Sequence, residues 1–312
     1  MASAEQSRKP TLSHRIEYAL ARATIGALHL TGWRTASAIG GRIAQLAYRP
    51  FGIRRGVVER QIAAAFPELP AADTQRLARR SYDSLGRTSI ETAILPGTST
   101  TDILERFEHV EGWHHVDNAL NGGKGVILVT GHLGNWELAG AYFAARGVPL
   151  DVVARGMANP VFEAFVNRTR NQIGMEVIHD RDAVRRTPRS LRENRAVAFV
   201  ADHDALGLAS TFVPFFGRPA KTPRGPGVFA LRFGAPVLFV AAVRAPSGRY
   251  AMYIEPVPVV VSGDREADVD AIVLAFTQML ESYVRKFPEQ YFWQHRRWRR
   301  QPPDTPEHLR EP

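Results

Sequence analysis

Residues 123–147 read GKGVILVTGHLGNWELAGAYFAARG, and the fold class is decided there. Residues 125–130 are a short apolar run rich in β-branched side chains, the pattern of a strand buried on both faces of a parallel sheet. From Asn135 on, Trp136, Ala139, Gly140 and Phe143 recur at helical spacing, and Gly147 stands where a helix would end. Between strand and helix sits His132, with Glu137 five residues later. Five residues turn a regular helix through about 500°, so two helical positions at that spacing point about 140° apart. The two side chains meet only if His132 lies in the loop ahead of the first turn. Gly131 and Gly134 free that loop, and Asn135 is a good N-cap. An imidazole facing a carboxylate beside the positive end of a helix suits a general base acting on a hydroxyl, with amides at hand for an oxyanion. A histidine at a strand–helix turn is also a common capping or packing residue, so the local pattern alone does not decide.

Working outward, residues 150–155 predict a second strand, with Arg155 at its carboxyl end, where open α/β sheets bind ligands. Asn159-Pro160 then opens a helix. Residues 175–178 and 196–201 predict two more strands, the latter running into Asp202-His203-Asp204. Side chains at adjacent positions rarely converge on one ion, so that triplet predicts no metal site, and one aspartate is expected to hold an arginine or a backbone amide. Phe212, Phe215 and Phe216 form an apolar cluster. Lys221, Thr222 and Arg224 precede a helix and suit an anion. Residues 235–243 and 250–258 predict a hairpin about Pro246-Ser247-Gly248, and residues 267–286 an amphipathic helix. Upstream, residues 13–48 read as helix, with apolar residues at three- and four-residue spacing and arginines among aromatics. Such a helix can lie in a bilayer interface. Further helices fall after Phe51 and over residues 71–95, and residues 110–115 suit an edge strand and turn. The expected architecture is α/β: a doubly wound, mixed but mostly parallel central sheet flanked by helices, with a helical N-terminal arm. The expected divisions are a loose start at 1–12, the arm at 13–100, the α/β domain at 101–302 and a tail at 303–312.

The 312 residues are 45% hydrophobic, enough for a substantial core. The absence of cysteine excludes disulfides and thiolate nucleophiles. A net charge of +9, carried mostly by arginine, suits nucleic acid, anionic lipid or acidic substrates. No uncharged apolar stretch reaches the roughly 18 to 20 residues of a membrane span, and the start lacks an export signal. The expectation is a chain on the cytoplasmic face of the inner membrane, peripheral or monotopic. Walker, dinucleotide and G-x-S-x-G motifs are absent. No nucleic-acid module accompanies the basic charge.

Seven segments together resemble the bacterial lipid A late acyltransferases, a family that takes in the phosphatidylinositol mannoside acyltransferases within the broader glycerolipid acyltransferase fold. They are FGIRRGVVERQIAAAFPEL, GHLGNWELAG, ARGMANPVFEAF, VADHD, FVPFFGRPAKTPRGP, RFGAPVLF and PEQYFWQHRRW, in the family's order and spanning roughly residues 50 to 302. The resemblance places the family's H-x4-D/E motif on His132 and Glu137, with His132 deprotonating the acceptor hydroxyl and Glu137 orienting the imidazole. It implies direct attack on an acyl thioester, from acyl carrier protein or coenzyme A, by a hydroxyl of a membrane glycolipid or lysophospholipid. It assigns substrate contacts to Arg155, Asn159, Asp202, Asp204, Lys221, Thr222 and Arg224, and implies neither metal nor cofactor. The family's usual N-terminal hydrophobic anchor is reduced here to a short apolar run between Arg22 and Arg34. Pro223-Arg224 stands where many members have small hydroxyl residues. A non-catalytic lipid-binding protein of the same fold is the alternative.

Overall fold

A computed structural model describes residues 11–156, 159–203 and 209–312. The quoted stretch folds as its pattern predicts: strand β2 (Val126–Thr130), a loop, then a helix over Trp136–Ala145. The remaining strands are β1 (Phe107–Glu111), β3 (Leu150–Ala154), β4 (Met175–His179), β5 (Ala196–Val200), β6 (Ser210–Phe215), β7 (Arg218–Pro223), β8 (Val237–Arg244) and β9 (Tyr250–Pro256). Among the described residues a seven-stranded sheet runs β1-β9-β8-β2-β5-β3-β4, parallel throughout except for the β8–β9 hairpin. That hairpin turns where Pro246-Ser247-Gly248 places it.

The helices are α1 (Leu12–His29), α2 (Trp33–Tyr48), α3 (Arg55–Ala65), α4 (Ala71–Ile94), α5 (Thr100–Glu105), α6 (Trp113–Asn121), α7 (Trp136–Ala145), α8 (Pro160–Gln172), α9 (Ala183–Arg192), α10 (Gly225–Phe233) and α11 (Arg265–Lys286). Alternate residues of β2 enter two different cores. Ile127 and Val129 pack toward α3, α4, α10 and α11, and Val126 and Leu128 toward α5, α6 and α7. Both faces of the sheet are therefore covered, which is why its central strands read as unbroken apolar runs.

Three local expectations are corrected. The single helix over residues 13–48 is two, α1 and α2, broken where Gly32 takes a positive φ of 77° ahead of Trp33. Residues 113–115 begin α6 rather than closing an edge strand, and β1 starts earlier, at Phe107. The aromatic stretch after Ser210 is a separate antiparallel hairpin, β6–β7, whose Phe215 and Phe216 are buried while Phe212 is exposed.

The N-terminal helices are bolted to the sheet through Glu91 of α4, which is fully buried. Its carboxylate accepts from Ser37 Oγ of α2 at 2.6 Å, from Asn135 Nδ2 at 3.0 Å and from Arg244 Nη2 of β8 at 3.0 Å, and from the Tyr250 hydroxyl of β9. One carboxylate thus joins two helices, the cap of α7 and two strands. Such a group is tolerated in a dry core only because Arg244 neutralises it and every oxygen is bonded.

Candidate active site

Parallel strands β2 and β5 are neighbours in register, Thr130 opposite Val200. His132 and Asp202 each lie two residues beyond those positions, so the sheet delivers both to one edge, at the carboxyl ends of the strands. Asp202 Oδ1 lies 2.6 Å from His132 Nδ1, and Asp202 Oδ2 accepts from the His132 backbone amide at 2.9 Å. The carboxylate is 1% exposed and the imidazole 18%. Burial pushes the Asp202 carboxyl up, but the imidazoles of His132 and His203 and the two hydrogen bonds outweigh it and hold it well below the ordinary carboxylate range. An ionised Asp202 only accepts, so His132 carries its proton on Nδ1 and presents Nε2 as a lone pair.

The loop is held from several sides. Gly134 has a φ of 64°, and a Cβ there would lie 1.9 Å from the Ala242 carbonyl oxygen, so only glycine fits. Asn135 caps α7 by accepting from the Leu138 amide at 2.9 Å. The backbone carbonyl of His132 accepts from the Phe292 amide at 3.0 Å, and Leu133 bridges to Tyr291. The ring meets Trp136 edge-on, with centroids 4.6 Å apart, and stacks on His203 at 3.6 Å and 9°. His295 continues the stack beyond His203 at 3.7 Å. Burial depresses His203 to about 2 and His295 to about 4, so both are neutral partners at physiological pH. The buried phenol of Tyr291 lies beside Asp202. Burial first, then that carboxylate, raises it well above its ordinary value.

The expected contact between His132 and Glu137 is corrected. Glu137 is on the first turn of α7, where both of its oxygens are taken by Arg170 of α8, one of them by Nε at 3.0 Å. The partner of the imidazole is Asp202. Sequence spacing offered Glu137 because it is near in the chain, whereas Asp202 lies 70 residues away. The signal for Asp202 was its position just past a buried strand, which becomes decisive only once β2 and β5 are known to be adjacent.

The other predicted residues part company. Arg155 is exposed at the carboxyl end of β3, two strands along the same edge. Asn159 ties α8 to α1, donating to Glu17 at 2.9 Å and to the His14 carbonyl at 3.4 Å. Lys221 and Thr222 lie on β7, where the buried Arg297 donates to the Lys221 carbonyl and to Thr222 Oγ1, both at 2.6 Å. Arg224 pairs with Glu266 at 2.6 Å and Asp270 at 2.7 Å. The anion site expected at residues 221–224 is therefore corrected: Thr222 and Arg224 hold the hairpin to the body of the protein. Asp204 lies outside the described residues. His132, Asp202 and His203 place potential ligand atoms within 4.8 Å of one another. Asp202 is already engaged by His132, and the rings of His132 and His203 are stacked face to face.

Beside Trp136, a narrow apolar cleft of about 70 Å³ runs between α7 and the sheet, lined by Gly140, Phe143, Leu150, Met175 and Val200, with the Glu137–Arg170 pair at its wall. Trp136 lines this cleft and also meets the His132 ring.

The chain matches, over residues 5–300, the family described as bacterial lipid A biosynthesis acyltransferase. It is 28% identical over 267 residues to a lipid A biosynthesis palmitoleoyltransferase of Escherichia coli (strain K12), covering 85% of each chain. It is 30% identical over 220 residues to a phosphatidylinositol mannoside acyltransferase of Mycobacterium tuberculosis (strain ATCC 25618 / H37Rv), covering 69% of each. To a lipid A biosynthesis lauroyltransferase of Escherichia coli (strain K12) it is 25% identical, covering 86% of each. A match across nearly the whole chain, over a sheet that delivers a buried acid and an imidazole to one edge, makes this chain an acyltransferase enzyme of the bacterial lipid A biosynthesis acyltransferase family.

Proposed function

We propose that the enzyme moves a fatty acyl chain from an acyl thioester to a hydroxyl of a membrane glycolipid or lysophospholipid, with His132 as general base and Asp202 as its orienting acid. The observation that carries this reading is the Asp202–His132 pair set beside an apolar cleft. Nε2 takes the proton of the acceptor hydroxyl as its oxygen attacks the thioester carbonyl carbon. The charge that moves onto the carbonyl oxygen forms near the amino end of α7, whose dipole favours it. Collapse of the adduct breaks the carbon–sulfur bond, and the imidazolium returns its proton to the departing thiolate. Asp202 stabilises the imidazolium in between without taking the proton itself.

The donor is acyl carrier protein or acyl-coenzyme A, whose acyl chain lies in the cleft beside Trp136. Each buried methylene contributes about 0.8 kcal/mol there. The enzyme works at the cytoplasmic face of the membrane. Among the described residues no helix is long and apolar enough to cross a bilayer. Instead Leu12, Ile16 and Leu20 form an exposed stripe at four-residue spacing on α1, and Ile43 and Leu46 on α2 and Phe51 are exposed as well. Arginines flank that stripe, as on a helix that lies in an anionic interface.

The test is acyl transfer from a radiolabelled acyl thioester to lipid extracts, with mass spectrometry of the product. The wild type adds one acyl unit. His132→Ala abolishes the gain while keeping the wild-type circular dichroism spectrum. Near-normal turnover by that variant overturns the assignment.

A further inference from the structure

Helices α2 and α4 cross at two glycines. A Cβ on Gly40 would lie 2.5 Å from the Gly86 carbonyl oxygen, and one on Gly86 2.2 Å from that of Gly40. Beyond this crossing, toward the carboxyl end of α2, the two helices border a cleft of two adjoining pockets that share Gln45 and Arg79, the inner one lined also by Arg80, Asp83, Arg87 and Glu289, the outer one by Arg42, Leu46 and Arg49. Arg87 is paired with Asp83 at 2.6 Å and Arg80 with Glu289 at 3.3 Å. Arg42, Arg49 and Arg79 form no ion pair among the described residues, although Arg79 Nε donates to Gln45 Oε1 at 2.8 Å. Three guanidinium groups without a carboxylate partner, gathered on one helix pair, form a receptor for a doubly charged oxyanion, because each can offer two parallel N–H bonds.

Two further features say what kind of anion. Leu46 lines the outer end of the cleft, and exposed Ile43 and Phe51 are its neighbours in the chain, so the mouth is apolar as well as basic. At the inner end, Ser84 and Gln290 line both this cleft and the small pocket that holds the His132 ring. The arginine cleft and the His132 pocket are thus neighbours across Ser84 and Gln290. We propose that the arginine cleft binds the phosphate-bearing headgroup of the lipid acceptor, with Arg42, Arg49 and Arg79 on the phosphate and the lipid's apolar part at the lip. This inference rests on the reading that His132 acts on a lipid hydroxyl, and it moves the phosphate contacts from residues 221–224 to the α2–α4 cleft.

The test measures binding rather than turnover. Dihexanoylphosphatidic acid and dihexanoylphosphatidylcholine, both as monomers, and coenzyme A are titrated calorimetrically into the full chain and into an Arg42→Ala/Arg49→Ala/Arg79→Ala variant. The proposal expects saturable binding of the phosphatidic acid, at least tenfold weaker binding by the triple variant, and no saturation with phosphatidylcholine. All three arginines are exposed, so the variant is expected to melt with the wild type. Equal binding of phosphatidic acid by wild type and triple variant overturns the site, as does equal binding of the two lipids. A triple variant that loses coenzyme A binding while keeping phosphatidic acid gives the cleft to the donor and also overturns it. Because no turnover is read, failure here is separate from failure of His132 as the base.

Discussion

Asp202 holds His132 at two points, the ring nitrogen Nδ1 and the main-chain amide, with both of its carboxylate oxygens. The acid therefore fixes the tautomer of the ring and the path of the loop that carries it. Asp202→Asn keeps the shape but replaces one acceptor with an amide donor. It is expected to lower kcat by about a hundredfold or more and to move the pH profile of kcat, because the imidazolium loses its counter-charge. Glu137→Gln is expected to leave that profile in place, since Glu137 is bound to Arg170. Steady-state rates between pH 5.5 and 9 compare the two.

Acyl selectivity should follow the depth of the cleft beside α7. A Cβ added at Gly140 would lie 2.6 Å from Met175 Sδ, so a larger side chain there fills the floor. Gly140→Val is expected to favour shorter acyl thioesters, each excluded methylene costing about 0.8 kcal/mol, or close to fourfold in kcat/KM. Met175→Ala is expected to shift preference the other way. Competition among thioesters of graded length reads both.

Removing the carboxylate of Glu91 strands Arg244 in the core. Glu91→Ala is expected to cost about 3–5 kcal/mol of stability, the usual penalty for an uncompensated buried charge. Urea unfolding followed by circular dichroism measures it. A Glu91→Leu/Arg244→Met double variant is expected to recover part of the loss by removing the orphaned charge.

Acid should destabilise the fold before it reaches the carboxylates. Burial holds His203 near 2 and His295 near 4, whereas an unfolded histidine titrates near 6.5. As pH falls below about 6.5 the unfolded chain takes up protons that the folded chain refuses, so stability drops by up to about 1.4 kcal/mol per pH unit for each ring. The contribution of Asp202, whose folded value is depressed, is intact above its unfolded value near 3.9 and is lost only below it. Melting temperature should therefore decline from pH 7 to 4.5. His203→Phe, which keeps an aromatic ring against His132, should flatten that decline.

Membrane contact should depend on the stripe along α1. Ile16→Asp/Leu20→Asp places two anions on the exposed apolar row. Co-sedimentation with vesicles of one-quarter anionic lipid is expected to fall at least tenfold, with the wild-type binding itself weakened by salt.

The sheet was legible because its strands are buried on both faces, so runs such as VILVT and AVAFV announce themselves without periodicity. His132 was legible because the strand, the glycines and the Asn135 cap surround it in the chain. Asp202 was legible as a site residue but not as the partner of the His132 ring, since the pairing of β2 with β5 brings the two together and a linear text does not state which strands are neighbours. The same holds for Glu91, an ordinary helix acid in sequence whose partners come from α2, α7, β8 and β9. Lys221, Thr222 and Arg224 looked like an anion site because their types suit one. Glu266, Asp270 and Arg297, which engage them, lie more than 40 residues on.

The segment that carries Tyr291, Phe292 and His295 lies against the His132 loop and supplies the third ring of the stack. The ribosome makes it after every other part of the pocket. Until it docks, a nascent chain holds both the acid and the imidazole yet lacks the wall that keeps them dry. A chain truncated near Pro288 is therefore expected to lose acyl transfer together with the Tyr291, Trp293 and Trp298 rings that complete the core on that face of the sheet.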